Sequence, residues 1–132
     1  DAALVQNLKK LALMLSGLGA MRFQQKLEEE EELLAAAADL LIDIYAAESA
    51  LLRARRLGGV AERMARLYLY QAADRAQIRA SQVVPRLAQG DDQSFILSAV
   101  RRLTKRPPVD VIALRREIAR AVLEAEGYPI PR

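Results

Sequence analysis

The chain has 132 residues, enough for one domain with a sizeable core, and 52% of them are apolar, which excludes a disordered segment. Aromatics are only 5%, and alanine and leucine carry the apolar content, the composition of packed helices. With no cysteine, no histidine and a net charge of only +3, the sequence excludes disulfides, thiolate nucleophiles, zinc–sulfur sites and a Glu-x-x-His di-iron centre, and it is not strongly basic.

A first helix is expected from Ala2 to about Lys26. Leu4, Leu8, Leu11, Leu15 and Leu18 alternate by four and three, the spacing of a helix-packing seam. Gly17 and Gly19 interrupt it, each costing roughly 1 kcal/mol against alanine. No strand precedes them and no third glycine follows, so close helix approach or a bend suits them better than a phosphate loop.

Glu28 to Glu32 is a run of five glutamates, and Arg53, Arg55 and Arg56 lie some 25 residues on. Acid at the start and base at the end suits a helix macrodipole, so the second helix is expected at about 28–57. A continuous helix through both segments is the alternative. A calcium loop would need a turn and mixed oxygen ligands, which this run lacks. Within the second helix one apolar stripe runs through Leu33, Ala37, Leu40, Ile44, Ala47, Leu51 and Ala54. A second runs through Leu34, Ala38, Leu41, Tyr45 and Leu52. Two adjacent stripes imply cover by several neighbours, and hence the central helix of a bundle. Asp39, Asp43 and Arg53 are left on a narrow polar face.

Gly58 and Gly59 end this helix. A third follows from about Val60, with Val60, Met64, Leu67, Ile78 and Val84 as its buried side and Ala61, Ala65, Tyr68 and Ala72 alongside. Glu62 and Arg66 are spaced for an i,i+4 pair. Pro85 should kink or end the helix. Gly90, Asp91 and Asp92 form a break containing an N-cap, and a short fourth helix runs from about Gln93 to Thr104 over Ile96, Val100 and Leu103. Pro107 and Pro108 stop it. Asp110 caps a fifth helix, which places Val111, Leu114, Ile118, Val122 and Ala125 on one face. Gly127 ends that helix, and Pro129 and Pro131 keep the tail extended. The expected fold is all-α, a single antiparallel bundle of four to five helices.

Few residues here could carry chemistry. Asp39 and Asp43, one turn apart, could do acid–base work but more simply line a polar strip or meet arginines of a neighbouring helix. Glu48 falls on the second stripe, where an apolar residue belongs. A buried ion pair with Arg75 or Arg79 is expected for it, since no nucleophile or metal set accompanies it. No catalytic, cofactor-binding or metal residue is assigned. The arginine clusters at 53–56, 101–106 and 115–120 alternate with acids and lack a nucleic-acid motif, so nucleic acid is not expected as a partner. Leu11 to Leu15, flanked by Lys9 and Lys10, could rest on a membrane surface.

Two segments of the second helix go further. Leu41-Ile42-Asp43-Ile44-Tyr45-Ala46, followed by Ser49-Ala50-Leu51-Leu52-Arg53-Ala54-Arg55-Arg56, resembles the extra C-terminal helical domain of very-long-chain-type acyl-CoA dehydrogenases, above all their bacterial branch. The helix order, the Ala- and Arg-rich segment from Ala72 to Arg79 and the Tyr128-Pro129-Ile130 tail resemble it too. The resemblance implies a parent enzyme that oxidises a fatty acyl-CoA to the trans-2-enoyl-CoA with FAD as hydride acceptor. It also implies that this chain holds neither the catalytic glutamate nor the flavin site, which lie upstream in that family. The sequence begins at Asp1 rather than a methionine, and it is expected to be a piece of a longer chain. The implied partners are the dehydrogenase core of its own parent and further copies in a homo-oligomer, with Leu11, Met14 and Leu15 as the candidate interface. A bacterial cytoplasmic location, with contact to a membrane surface as an option, is implied as well. A free-standing helical adaptor is the alternative function.

Overall fold

The structure, a computed structural model, describes residues 1–130. Among these are five α-helices: α1 (Ala2–Phe23), α2 (Glu31–Leu57), α3 (Val60–Leu87), α4 (Gly90–Leu103) and α5 (Val111–Ala125). The all-α bundle expected from the sequence is what forms. Pro131, assigned to the extended tail, lies outside the described residues.

Helices α1 and α2 are separate. A six-residue 3-10 turn, Gln24–Glu29, joins them, and Gln24 takes a left-handed φ of 49°. Five consecutive glutamates repel one another along a straight helix, and the chain reverses there instead. Glu28 and Glu29 fall in the turn, while Glu31 and Glu32 form the first turn of α2, where the helix dipole favours acids. The reversal makes α1 and α2 antiparallel: Gly19 lies by Leu33 near one end, and Lys9 meets Glu48 further along. A Cβ at position 19 would stand 3.4 Å from the Leu33 side chain, in ordinary contact, so Gly19 marks where α1 and α2 lie close together.

The centre of the bundle is α3, not α2. It packs against all four other helices, whereas α2 packs only on α1, α3 and the 3-10 turn. The reason lies in side-chain size. The buried face of α3 is lined by Ala61, Ala65, Ala72, Ala73, Ala76 and Ala80, and small residues let several helices approach at once. The large core side chains come from α3 itself, through Leu69, Tyr70, Val84 and Leu87, and from its neighbours, through Leu8 and Leu11 of α1, Ile44 of α2 and Val100 of α4. A search for large apolar residues misplaces this face. Of those assigned to it only Val84 is buried; Val60, Met64 and Leu67 are half-buried, and Ile78 is exposed. The alanines assigned alongside, Ala61, Ala65 and Ala72, are the ones that are buried.

Helix α2 carries the largest correction. Its first stripe is buried at Leu33, Leu40, Ile44, Ala47 and Ala54. Its second stripe is not covered by the described residues. Leu34 is 42% exposed, Leu41 54%, Tyr45 76% and Leu52 55%. Periodicity revealed two apolar faces, but the fold has neighbours for one.

The remaining boundaries shift by a few residues. Pro85 does not stop α3, which continues to Leu87. Helix α4 begins at Gly90 rather than near Gln93, so Asp91 and Asp92 occupy its first turn instead of capping it. Ile96, Val100 and Leu103 are buried as expected. Asp110 does cap α5, its carboxylate accepting the Ala113 N–H at 2.9 Å. Only Leu114 of the α5 face is fully buried. The Glu62–Arg66 pair does not form; Arg66 turns to Asp1 at 3.2 Å.

Ile44 is 4% exposed and Asp39, on the same helix, is exposed. Ile44→Ala should therefore cost about 2–5 kcal/mol, from lost burial and the cavity left behind. Asp39→Ala should stay within roughly 0.5 kcal/mol. Urea denaturation of the two variants checks this, and equal effects would mean that the faces of α2 are misassigned.

Candidate functional site

The most enclosed charged group of the bundle is Asp43, near the middle of α2. Only 13% of its side chain is exposed. It points at α3, where Arg75 and Arg79 stand one turn apart and present their guanidinium groups together. Arg75 Nε donates to Asp43 Oδ2 at 2.9 Å, Arg79 Nη1 donates to the same oxygen at 2.8 Å, and Tyr68 Oη donates to Oδ1 at 3.3 Å. The Arg75 guanidinium also lies over the Tyr68 ring, 5.5 Å from its centre.

Burial by itself would raise the Asp43 pKa. The hydrogen bonds and charges of Arg75 and Arg79 outweigh it and hold the carboxyl below its ordinary 3.8. Burial, and then the Asp43 charge, push the Tyr68 hydroxyl above 10.0. Both carboxylate oxygens are occupied and the group is charged at neutral pH. The arrangement is that of a structural clamp between α2 and α3, not of a base waiting for a proton.

Arg75 and Arg79 thus serve Asp43, one of the two aspartates whose meeting with arginines the sequence suggested, and not Glu48. Glu48 pairs with Lys9 of α1 at 2.6 Å, and the two side chains are 40% and 38% exposed. The expected buried pair at Glu48 is therefore a half-exposed one with a different partner. Glu48 sits at the margin of the uncovered stripe, where the Lys9 stem of antiparallel α1 can reach it and α3 cannot.

The candidate interface at Leu11, Met14 and Leu15 is likewise displaced. Leu11 is 0% and Leu15 7% exposed, both in the core. Met14 is half-buried beside Leu18, Phe95 and Ile96. The α1 seam faces α2, α3 and α4, and a row of exposed apolar residues lies instead on the second stripe of α2.

Two cavities flank the turn between α1 and α2. An apolar one of about 90 Å³ lies between α1, α2 and α3, lined by Leu15, Gly19, Leu33, Leu40 and Ala80. That is well under the roughly 300–1,000 Å³ of small-molecule sites. A groove of about 510 Å³ is lined by Glu29, Glu30, Glu31 and Glu32, whose charge repels a pyrophosphate. No group of three His, Cys, Asp or Glu side chains among the described residues could hold a metal ion, and no helix is long and apolar enough to cross a membrane.

Comparison with known proteins identifies the fold. Residues 7–102 match the family model of the acyl-CoA dehydrogenase C-terminal domain. The chain belongs to that family. A probable acyl-CoA dehydrogenase of Bacillus subtilis (strain 168) is 33% identical over 135 residues, covering 96% of this chain and 23% of that protein. The crystal structure of an acyl-CoA dehydrogenase complexed with FAD from Bacillus anthracis superposes with a TM-score of 0.90 at 33% identity, over 96% of this chain and 24% of that one. This domain thus spans about a quarter of the length of the relatives it matches. The family resemblance read from the α2 segments holds.

The clamp sets a stability order. Asp43→Asn leaves Arg75 and Arg79 facing a neutral amide and should cost about 1.5–3 kcal/mol, the range for hydrogen bonds to charged groups. Glu48→Gln, at a half-exposed pair, should cost about 0–1 kcal/mol. Because the folded Asp43 titrates below 3.8, its contribution is fully present above that pH and is lost as the pH falls through the lower, folded value. Wild-type stability should therefore fall more than that of Asp43→Asn on acidification below pH 3.8. Parallel acid-titration slopes for the two proteins would remove Asp43 from this role.

Proposed function

We propose that this domain is the C-terminal piece of an FAD-dependent acyl-CoA dehydrogenase of fatty-acid β-oxidation, and that it serves assembly rather than chemistry. The match of residues 7–102 to the C-terminal domain model carries this reading, together with the quarter-length span of the relatives. The domain packs on the catalytic core of its own parent chain and contributes contacts to a homo-oligomer in a bacterial cytoplasm. FAD is bound by the preceding part of the enzyme.

The chemistry of the described residues supports the division of labour. Oxidising an acyl-CoA needs a base for the α-proton, a flavin for the β-hydride and a cleft that aligns the two. Asp43 is committed to two arginines and Glu48 to a lysine. Neither faces a cleft large enough for a flavin beside an acyl chain. Of the aromatics, Tyr68 and Tyr70 hydrogen-bond Asp43 and Asp1, while Tyr45 and Phe95 are each 76% exposed and belong to different helices.

The 132-residue chain alone should be colourless, should not take up FAD and should not reduce an electron acceptor with palmitoyl-CoA. Added in trans to an acyl-CoA dehydrogenase of the family truncated before this domain, it should raise that enzyme's melting temperature. Stoichiometric flavin binding, turnover by the isolated chain, or no effect on the truncated enzyme would overturn the accessory role.

A further inference from the structure

Of the five helices among the described residues, α5 alone gives no buried side chain to the main apolar core, which is built from α1, α2, α3 and α4. Among those residues α5 packs on α3 and on no other helix, and Leu114 is its one fully buried side chain. Its ion pair to α3, Arg63 with Glu117 at 3.4 Å, is about half-exposed on both sides and contributes little. A helix of 15 residues held this lightly has small stability of its own.

The segment after α5 adds a second attachment. Glu126 takes a left-handed backbone, φ 52° and ψ 32°. Its N–H donates to the Leu123 carbonyl, and the Gly127 N–H donates to that of Val122. A left-handed backbone is unfavourable for a residue with a Cβ, and the glycine that would suit it comes one position later. Such a turn persists when the chain on both sides of it is fixed. Ile130 fixes the far side. It is half-buried and packs on the cluster of Ala54 from α2 and Ala61 and Ala65 from α3. These alanines, with Ala46 and Ala50, line a groove of about 300 Å³ between the two helices, and Tyr128 and Ile130 line it from the tail. The tail thereby ties α5 to α2, a helix that α5 itself does not touch.

We propose that the tail is a latch. With α5 it forms one strap, which closes over the groove between α2 and α3 and opens as a unit while α1 to α4 stay folded. Opening lifts Leu114, Glu117 and Ile130 from their seats and takes nothing from the main core. It uncovers an apolar groove at far less cost than unfolding the bundle, as a weakly packed unit does. Ile130 sets how often this happens, because it supplies apolar contact that α5 lacks. The latch is a property of the folded domain and does not depend on the assembly role proposed above.

Native-state hydrogen exchange of the 132-residue chain, read helix by helix in low denaturant, tests the latch. In the wild type the α5 amides should be at least tenfold less protected than the slowest amides of α3. Ile44→Val, in the main core, should speed exchange in α1 and α2 and leave α5 unchanged, since the opened strap leaves that core intact. Ile130→Ala should speed exchange in α5 about tenfold, through the loss of half-buried methylene groups. Glu126→Gly should slow it about threefold, by relieving the left-handed backbone. Protection in α5 equal to that in α3, α5 rates that rise with Ile44→Val, or α5 rates indifferent to Ile130→Ala or to Glu126→Gly would each overturn the proposal.

Discussion

The bundle depends on one helix being thin. Four helices can surround a fifth only if its side chains leave room, and the alanines at 65, 72, 73, 76 and 80 of α3 are each 4% exposed or less. Helix axes pack at distances set by the side chains between them. An alanine face brings the neighbours close and asks them to supply the volume. Leu8, Leu11 and Val100, from α1 and α4, are among the most completely buried side chains and fill the space beside the alanines. Large on one side and small on the other is a well-packed solution, but it is also a smooth one. Alanine on leucine gives few steep features to fix how far one helix slides along another.

Charges supply the register that the alanines do not. Of the ion pairs among the described residues, all but Lys9–Glu48 have one member on α3. Asp1 reaches Arg66 and Tyr70 near the start, Asp43 reaches Arg75 and Arg79 in the middle, and Glu30 reaches Arg86 near the end. Arg106, just before α5, grips Asp74 through two hydrogen bonds and covers the Tyr70 ring. Most of these are surface pairs, each worth little on its own. Asp43 differs, because its carboxylate is largely withdrawn from water, and a displaced register would leave it unpaired.

The sequence made the helices legible and left their faces less so. Glycine pairs, the double proline and the Asp110 cap mark ends that the fold respects, to within a few residues. The centre was misread because bulk was taken as the sign of burial, whereas six of the ten buried residues of α3 are alanines. The ion pairs were misread for a related reason. Arg75 and Arg79 were rightly expected to meet an acid of α2. Choosing Asp43 over Glu48 requires the register between two antiparallel helices, which local spacing does not contain. Lys9 was invisible as a partner because it lies 39 residues from Glu48, across a turn whose shape the glutamate run did not reveal.

The same limit explains α2. Helical periodicity reports that a face prefers not to meet water, and says nothing of whether the cover belongs to the same chain. In α2 the two answers sit back to back. Asp43 lies half a turn around from the midpoint of the bare stripe, between Leu41 and Tyr45, so the clamp to α3 holds the helix directly behind the centre of its uncovered face. A helix fixed at that point, and flanked by the pairs of Glu48 with Lys9 and Glu30 with Arg86, has little backbone freedom left to lose when something settles on it. Ordering a surface in advance is what lets a modest apolar area bind, because the entropy of fixing it has been spent in folding. The clamp and the stripe are then two sides of one helix: electrostatics holds the inner side of α2 against α3, and the outer side stays bare among the described residues.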